Sequence, residues 1–343
     1  MLPGSHRAVL NENDIDVHPP AAYTAAMFRP ANLPEGLAHP ECPDPLARAP
    51  RLAAGGPQPR QQLHLAPPPL RGALVALISR DSRGCSLSSV QRLTHFPASP
   101  LVTLSWFHDG MPVGRVECRA NGPQWQPFPS DFVLSGSQSR PLVSWAPQTG
   151  RGYMACFPAD VARQLFGVEL AAIHDRFVPL TGPGQAAWAP LRAALLAAPD
   201  DDATLTALAT QLGPRWQTMQ GNLSPLASLR QVGRHWVERL AWQAHEWRRS
   251  LGQRQVERRV REFSGRSLRE WQGLTRTESL FFLARDRHAA GHTLDWAEMA
   301  AELDFADQAH LSRAARRVTG FAPGEFTRRF LEDESFWLYR LWV

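Results

Sequence analysis

Two rows of side chains near the C-terminus have types and spacing suited to a polyanion. Gln308, Ser312 and Arg316 recur every four residues, and Ala309, Arg313 and Arg317 form the row beside them. On a helix, residues four apart lie on one face, so the two rows make a single polar surface. The chemistry it offers is duplex readout: Gln pairs with adenine, Arg with O6 and N7 of guanine, and Ala touches a thymine methyl. N-terminal positions of a reading helix point at base edges and later ones reach phosphates, which assigns Arg316 and Arg317 to the backbone. Leu311, Ala314, Ala315 and Val318 form the opposite, apolar stripe. An amphipathic helical hairpin with a polar outer face has the same pattern, and periodicity alone does not separate the two.

The charge distribution points the same way. Residues 1–214 hold 16 Arg against 16 Asp plus Glu, whereas residues 215–343 hold 21 against 16, so the net charge of +5 lies wholly in the C-terminal third. Residues 248–269 carry eight arginines, with only Glu257 and Glu262 as acids, a density that marks a polyanion footprint or a solvated helix face. Every basic residue is arginine. The absence of lysine excludes a Walker A loop, Schiff-base catalysis, kinase chemistry and a Ser/Lys acyl-transfer site.

Helices must position these rows. Trp296, Met299, Ala300 and Leu303 make one apolar stripe, a tight turn at Asp304 and Phe305 follows, and Asp307 caps the next helix, giving helix-turn-helix spacing. Upstream, Gly265 stands where a helix closes, Ser267 with Glu270 makes a capping box, and the following helix runs through Trp271, Leu274, Phe281 and Phe282 to about Arg287. Asp295 with Glu298 repeats the capping signature, and Gly320 ends the last reading helix. Toward the N-terminus, residues 72–158 carry short apolar runs with strand alternation, as in Val102, Leu104 and Trp106 against Thr103 and Ser105. Residues 159–220 read as helices. Residues 1–69 hold 14 of the 30 prolines and are expected to be a disordered leader whose deletion leaves DNA binding intact. The predicted fold class is α+β: residues 70–222 a β-rich domain with C-terminal helices, a cupin-like barrel being one arrangement open to it, and residues 223–343 an all-α domain of two helix-turn-helix units joined by a long helix.

The run DFADQAHLSRAARRVTGFAPGEF resembles the second helix-turn-helix of the AraC/XylS family of bacterial transcription regulators, through its Asp-Gln-x-His-Leu-Ser-Arg core and the Gly-Phe-x-Pro that follows. RQVERRVREFSGRSLREW, residues 254–271, is similar to the first recognition helix and the start of the connecting helix. Residues 150–180 look similar to uncharacterised N-terminal domains of one branch of that family. The resemblance implies base contacts from Arg254, Glu257 and Arg258 in the first unit, and from Gln308, Ala309, His310, Ser312 and Arg313 in the second. It also implies double-stranded promoter DNA as partner, with control through a small effector or dimerisation in the N-terminal domain; RNA polymerase and a homodimer are further partners open to such a regulator. Departures are Asp304 where the family has a turn glycine, and Ala315 where it buries an aromatic, so that Phe326 or Phe330 is expected to complete the packing. The first scaffold helix, within residues 237–252, matches poorly.

An enzyme reading would place a metal on His64, His95 and His108 of a β-barrel, but metal barrels generally need two closely spaced histidines on one strand plus a third and a carboxylate, and this spacing does not supply them. The expectation is therefore no enzyme, no cofactor and no metal. Cys42, Cys85, Cys118 and Cys156 form no CxxC pair and suggest neither zinc nor a disulfide framework. Trp106, Trp125, Trp145 and Trp188 read as core in preference to a ligand pocket. No apolar run approaches the roughly 18 residues of a membrane span and no signal peptide is present, which makes the cytoplasm the expected compartment.

Overall fold

The computed structural model describes residues 40–53, 55–180, 186–219, 232–292, 295–303 and 305–341. Among the described residues ten strands come first: β1 (Arg60–His64), β2 (Ala76–Asp81), β3 (Leu93–Phe96), β4 (Val102–Phe107), β5 (Gly114–Arg119), β6 (Gly122–Pro127), β7 (Phe132–Ser135), β8 (Leu142–Trp145), β9 (Arg151–Phe157) and β10 (Phe177–Pro179). Helices α1 (Ala159–Phe166) and α2 (Leu170–Ile173) precede β10, and α3 (Ala189–Ala197) and α4 (Asp201–Met219) follow it. The C-terminal part contains α5 (Val232–Trp247), α6 (Gln253–Ser264), α7 (Leu268–Ala289), α8 (Trp296–Glu302), α9 (Gln308–Thr319), α10 (Pro323–Glu332) and α11 (Trp337–Leu341), with a 3-10 turn at Glu334–Phe336. The chain is α+β, its strands all N-terminal to the α5–α11 array.

The strands form two antiparallel sheets, ordered β1-β2-β9-β4-β7-β10 and β3-β8-β5-β6. Alternation in β4 decides what each face does. Val102, Leu104 and Trp106 are completely buried and Trp106 stacks on Tyr153, ring centroids 5.2 Å apart, in a core closed by Leu165, Leu191, Leu195, Leu208 and Leu212 of α1, α3 and α4. Thr103 and Ser105 face the other way, toward a cavity. Trp106, Trp145 and Trp188 are core residues and Trp125 packs edge-on against Trp145; none of the four lines the cavity. The same apolar core continues through Val237, Leu240, Val256, Val260, Trp271 and Val318, so the C-terminal helices share it.

The described residues of the proline-rich leader, 40–53 and 55–69, pack against the rest of the chain. β1 pairs with β2 from Arg60 opposite Asp81 to His64 opposite Leu77, and residues 44–51 lie across α10. The reason is polar: proline removes donors but leaves carbonyls, and the carbonyls of Leu46 and Ala47 accept from Arg329 at 2.6 and 3.2 Å. The Ala49 amide donates to Asp333, the Ala49 carbonyl accepts from the Glu334 amide at 2.6 Å, and Arg48 pairs with Glu332 at 2.7 Å. Arg80 of β2 meets Glu334 at 3.1 Å, and Trp337 Nε1 donates to Thr94 Oγ1 at 2.9 Å. Deleting residues 1–69 would therefore remove a sheet strand and the two backbone carbonyls that accept from Arg329, contrary to the expectation from composition.

The three histidines considered as metal ligands take separate roles. His64 pairs with Asp201 at 2.7 Å, His108 Nδ1 accepts from Arg151 at 2.9 Å, and His95 packs between the Phe321 and Phe336 rings. Among the described residues no group of three His, Cys, Asp or Glu is arranged to hold a metal ion, all four thiols are free, and no helix is long and apolar enough to cross a membrane.

Two outcomes follow from the buried polar groups. Asp333→Ala removes the buried one of two carboxylates on Arg329, leaving the Glu325 pair at 2.7 Å, and strands the Ala49 amide; it should cost about 1–3 kcal/mol, read from urea unfolding. Burial, with help from the Arg329 cation, holds the His95 imidazole down to about 3 from 6.5. Below pH 6.5 the unfolded chain therefore takes up a proton that the folded chain refuses, and stability falls as pH drops from 6.5 toward 3. His95→Phe should remove a loss on the order of 4 kcal/mol over that window; identical acid profiles for the two proteins would exclude this role.

Candidate nucleic-acid interface

Helices α6 and α9 are built in the same way. α6 buries Val256, Val260 and Ser264, four residues apart, and α9 buries Leu311, Ala315 and Thr319 at the same spacing. The hydroxyl at each helix end turns back on its own helix: Ser264 Oγ donates to the Val260 carbonyl at 2.7 Å, and Thr319 Oγ1 to that of Ala315 at 2.8 Å. Gly265 and Gly320 then close the helices at φ 82° and 86°, left-handed values that any Cβ would strain. Seven residues beyond each hydroxyl a buried aromatic follows, Trp271 with its indole N–H on Ser264 Oγ at 3.0 Å, and Phe326.

The two units are thus in register at an offset of 55 positions, as between Gly265 and Gly320. The offset superposes Gln253 on Gln308, Arg258 on Arg313 and Arg261 on Arg316. Gln253 and Arg261 are exposed on the same helix as Arg254, Glu257 and Arg258 and did not stand out in the sequence; aligning the chain with itself would have found them.

The outer faces are open. Arg254, Glu257 and Arg258 are exposed on α6, as are Gln308, Ala309, Arg313, Arg316 and Arg317 on α9, while His310 and Ser312 are half-buried. Among the described contacts no acid pairs with Arg313, Arg316 or Arg317, and Arg258 has only a loose pair with Glu262 at 3.5 Å on the helix surface. His310 is turned inward: its ring meets Phe305 edge-on at 5.3 Å and Nδ1 accepts from the Ala306 amide at 3.4 Å. With Arg313 and Arg317 it rims a surface hollow.

Scaffolding comes from both sides. Asp307 caps α9 by accepting from the His310 amide, Asp295 caps α8 through the Ala297 and Glu298 amides, and Ser267 with Glu270 caps α7. Asp304 lies outside the described residues. Ala315 packs with Leu280 and Ala284 of α7, Met299 and Ala300 of α8, and Phe305; Phe326 and Phe330 instead join Phe321, Phe336 and Tyr339. The connecting helix, not the expected phenylalanines, fills the space beside that alanine. In the first unit Arg259 stacks on Trp247 of α5 at 4.9 Å.

Both helix ends rest on the β-rich part. Gly265 abuts the Leu170 backbone of α2, and the buried Arg266 meets His174 Nδ1 at 3.1 Å. Burial lowers the Arg266 guanidinium to about 10, and burial followed by the Arg266 charge holds His174 below its ordinary range. At the other unit the Val318 carbonyl accepts from the Ala98 amide at 2.7 Å.

No family model and no curated protein matches the chain. Among solved structures it is similar to ToxT from Vibrio cholerae O395, with 10% identity over 70% of this chain and 97% of that one, at a TM-score of 0.34. It is also similar to the same protein bound to (E)-4-(8-methylnaphthalen-1-yl)but-3-enoic acid, with 9% identity over 78% and 97% and a TM-score of 0.33. Asp307→Ala should lower stability by about 1 kcal/mol through loss of the α9 cap, with faster hydrogen exchange confined to the first turn of that helix.

Proposed function

We propose that the chain is a sequence-specific DNA-binding transcription regulator of the AraC/XylS type. The observation that carries this reading is the pair of in-register helices, each with an uncovered face of Gln and Arg side chains on a buried apolar stripe. Residues 223–343 form the reading part and residues 70–222 the regulatory part, which holds a small effector.

On α9, Gln308, Ala309, Ser312 and Arg313 approach base edges in the major groove while Arg316 and Arg317 hold phosphates; His310 joins the bases once its ring leaves Phe305. On α6, Arg254, Glu257 and Arg258 read bases, Gln253 adds a further base contact and Arg261 a phosphate contact. The 22 residues of α7 span about 33 Å at 1.5 Å each, close to the roughly 34 Å between successive major-groove segments on one side of the duplex. Since the two faces differ, the two half-sites differ.

A full-length protein carrying Arg313→Ala should lose roughly 1–3 kcal/mol on the site selected from random DNA and relax its base preference at one position. Arg317→Ala should weaken binding to every sequence about equally and reduce the salt slope by about one. Equal effects of the two on base preference would remove Arg313 from the reading face.

A further inference from the structure

Between the two sheets lies a cavity of about 280 Å³. The sheet face turned toward it differs from the leucine-rich outer face. It carries Thr103 and Ser105 of β4, Ser135 of β7 and Arg80 of β2, and Ser144 of β8 lies across from them. The size is near the lower limit for ligand pockets and suits one or two fused rings. Gly152 stands between Arg80 and Phe107 in the strand register, and the Phe107 ring and the end of the Met111 side chain lie over it.

The walls define the chemistry of an occupant. At the aromatic end Phe107, Phe128 and Phe177 form a nearly parallel series, with interplanar angles of 17° and 22° and centroid separations of 6.0 and 4.4 Å; a flat ring extends such a series by offset stacking. At the polar end Arg80 lies over Trp337 at 4.7 Å and gives one nitrogen to Glu334, while its Nη1 is buried with no partner. A buried orphan donor costs about 1–3 kcal/mol, which an acceptor oxygen would recover.

Charge separates the candidates for that oxygen. Arg80 already has the Glu334 carboxylate, which Arg340 shares at 3.7 Å, and a ligand carboxylate on Nη1 would stand beside it, a like-charge contact in a low-dielectric site. The other cation in the wall, Arg92, gives Nε to the Ala146 carbonyl at 3.0 Å and Nη1 to that of Leu87 at 2.8 Å. A carbonyl or hydroxyl oxygen meets the need of Arg80 without adding charge.

We propose that this cavity binds a small, flat, neutral aromatic molecule whose carbonyl or hydroxyl oxygen accepts from Arg80 Nη1 and whose ring stacks on Phe107. The inference deepens the effector role proposed for residues 70–222. Its test uses no DNA, so a protein that binds the probe but reads no DNA, or the reverse, separates the two readings.

The test is calorimetric titration of the full chain with coumarin, a planar neutral lactone, and with coumarin-3-carboxylate, its anionic counterpart. Coumarin should bind saturably at one per chain and at least tenfold more tightly than the carboxylate. Ser105→Leu, which fills the cavity, should weaken coumarin at least tenfold in protein shown to be folded by circular dichroism. Equal or tighter binding of the carboxylate would overturn the proposal, as would no saturable coumarin binding to the unaltered chain. The comparison of the two probes stands whether or not the leucine variant folds.

Discussion

Asp333 and Glu334 are adjacent, almost fully buried acids, and three parts of the molecule meet on them. The segment 44–51 reaches Asp333 through the Ala49 amide, β2 reaches Glu334 through Arg80, and α10 supplies Arg329. Arg340 closes the arrangement by donating to the Asp333 carbonyl at 2.8 Å. Buried ion pairs add little net stability over a well-packed apolar alternative, but removing one partner strands the other at high cost. Their effect here is to fix geometry. The placement of α10 satisfies both carboxylates, and α9 is attached to α10 through Gly320, Phe321 and Ala322.

That placement ties the exposed faces of α6 and α9 to the sheets. α6 ends against α2, and α9 ends against the Ala98 amide, so the separation and tilt of the two helices are set by the β-rich part as much as by α7. The cavity between the sheets also touches Val318 of α9 and Trp296 of α8. An occupant is thus in contact with α8 and α9 themselves, and no relay is required. Under the proposed function, any preference of the occupant for one placement of α9 would change DNA affinity by the same factor that DNA changes the affinity for the occupant.

Much of the C-terminal architecture was legible because local rules decide it. Asp295, Ser267 with Glu270, Asp307, Gly265 and Gly320 each stand where their backbone chemistry is needed, and the structure uses all five. The β-rich part was legible as strands but not as surfaces: alternation put Thr103 and Ser105 opposite Trp106 without showing that their side faces a cavity. Residues 40–53 were misread because composition reports how much apolar area a segment can bury, not which carbonyls a distant Arg329 will require. The packing of Ala315 depended on α7, a helix whose position follows from tertiary contacts. Gln253 and Arg261 were missed for a different reason: their signal lay in the offset between two units, which reading one motif at a time does not reveal.

The account rests on α6 and α9 acting together as two readers on one duplex. Hydroxyl-radical footprinting of the full chain on its selected site tests this most directly. The account predicts two protected segments about one helical turn apart, different in sequence and bound in one fixed orientation. A single protected segment, or two identical half-sites related by a two-fold axis under one chain, would contradict it.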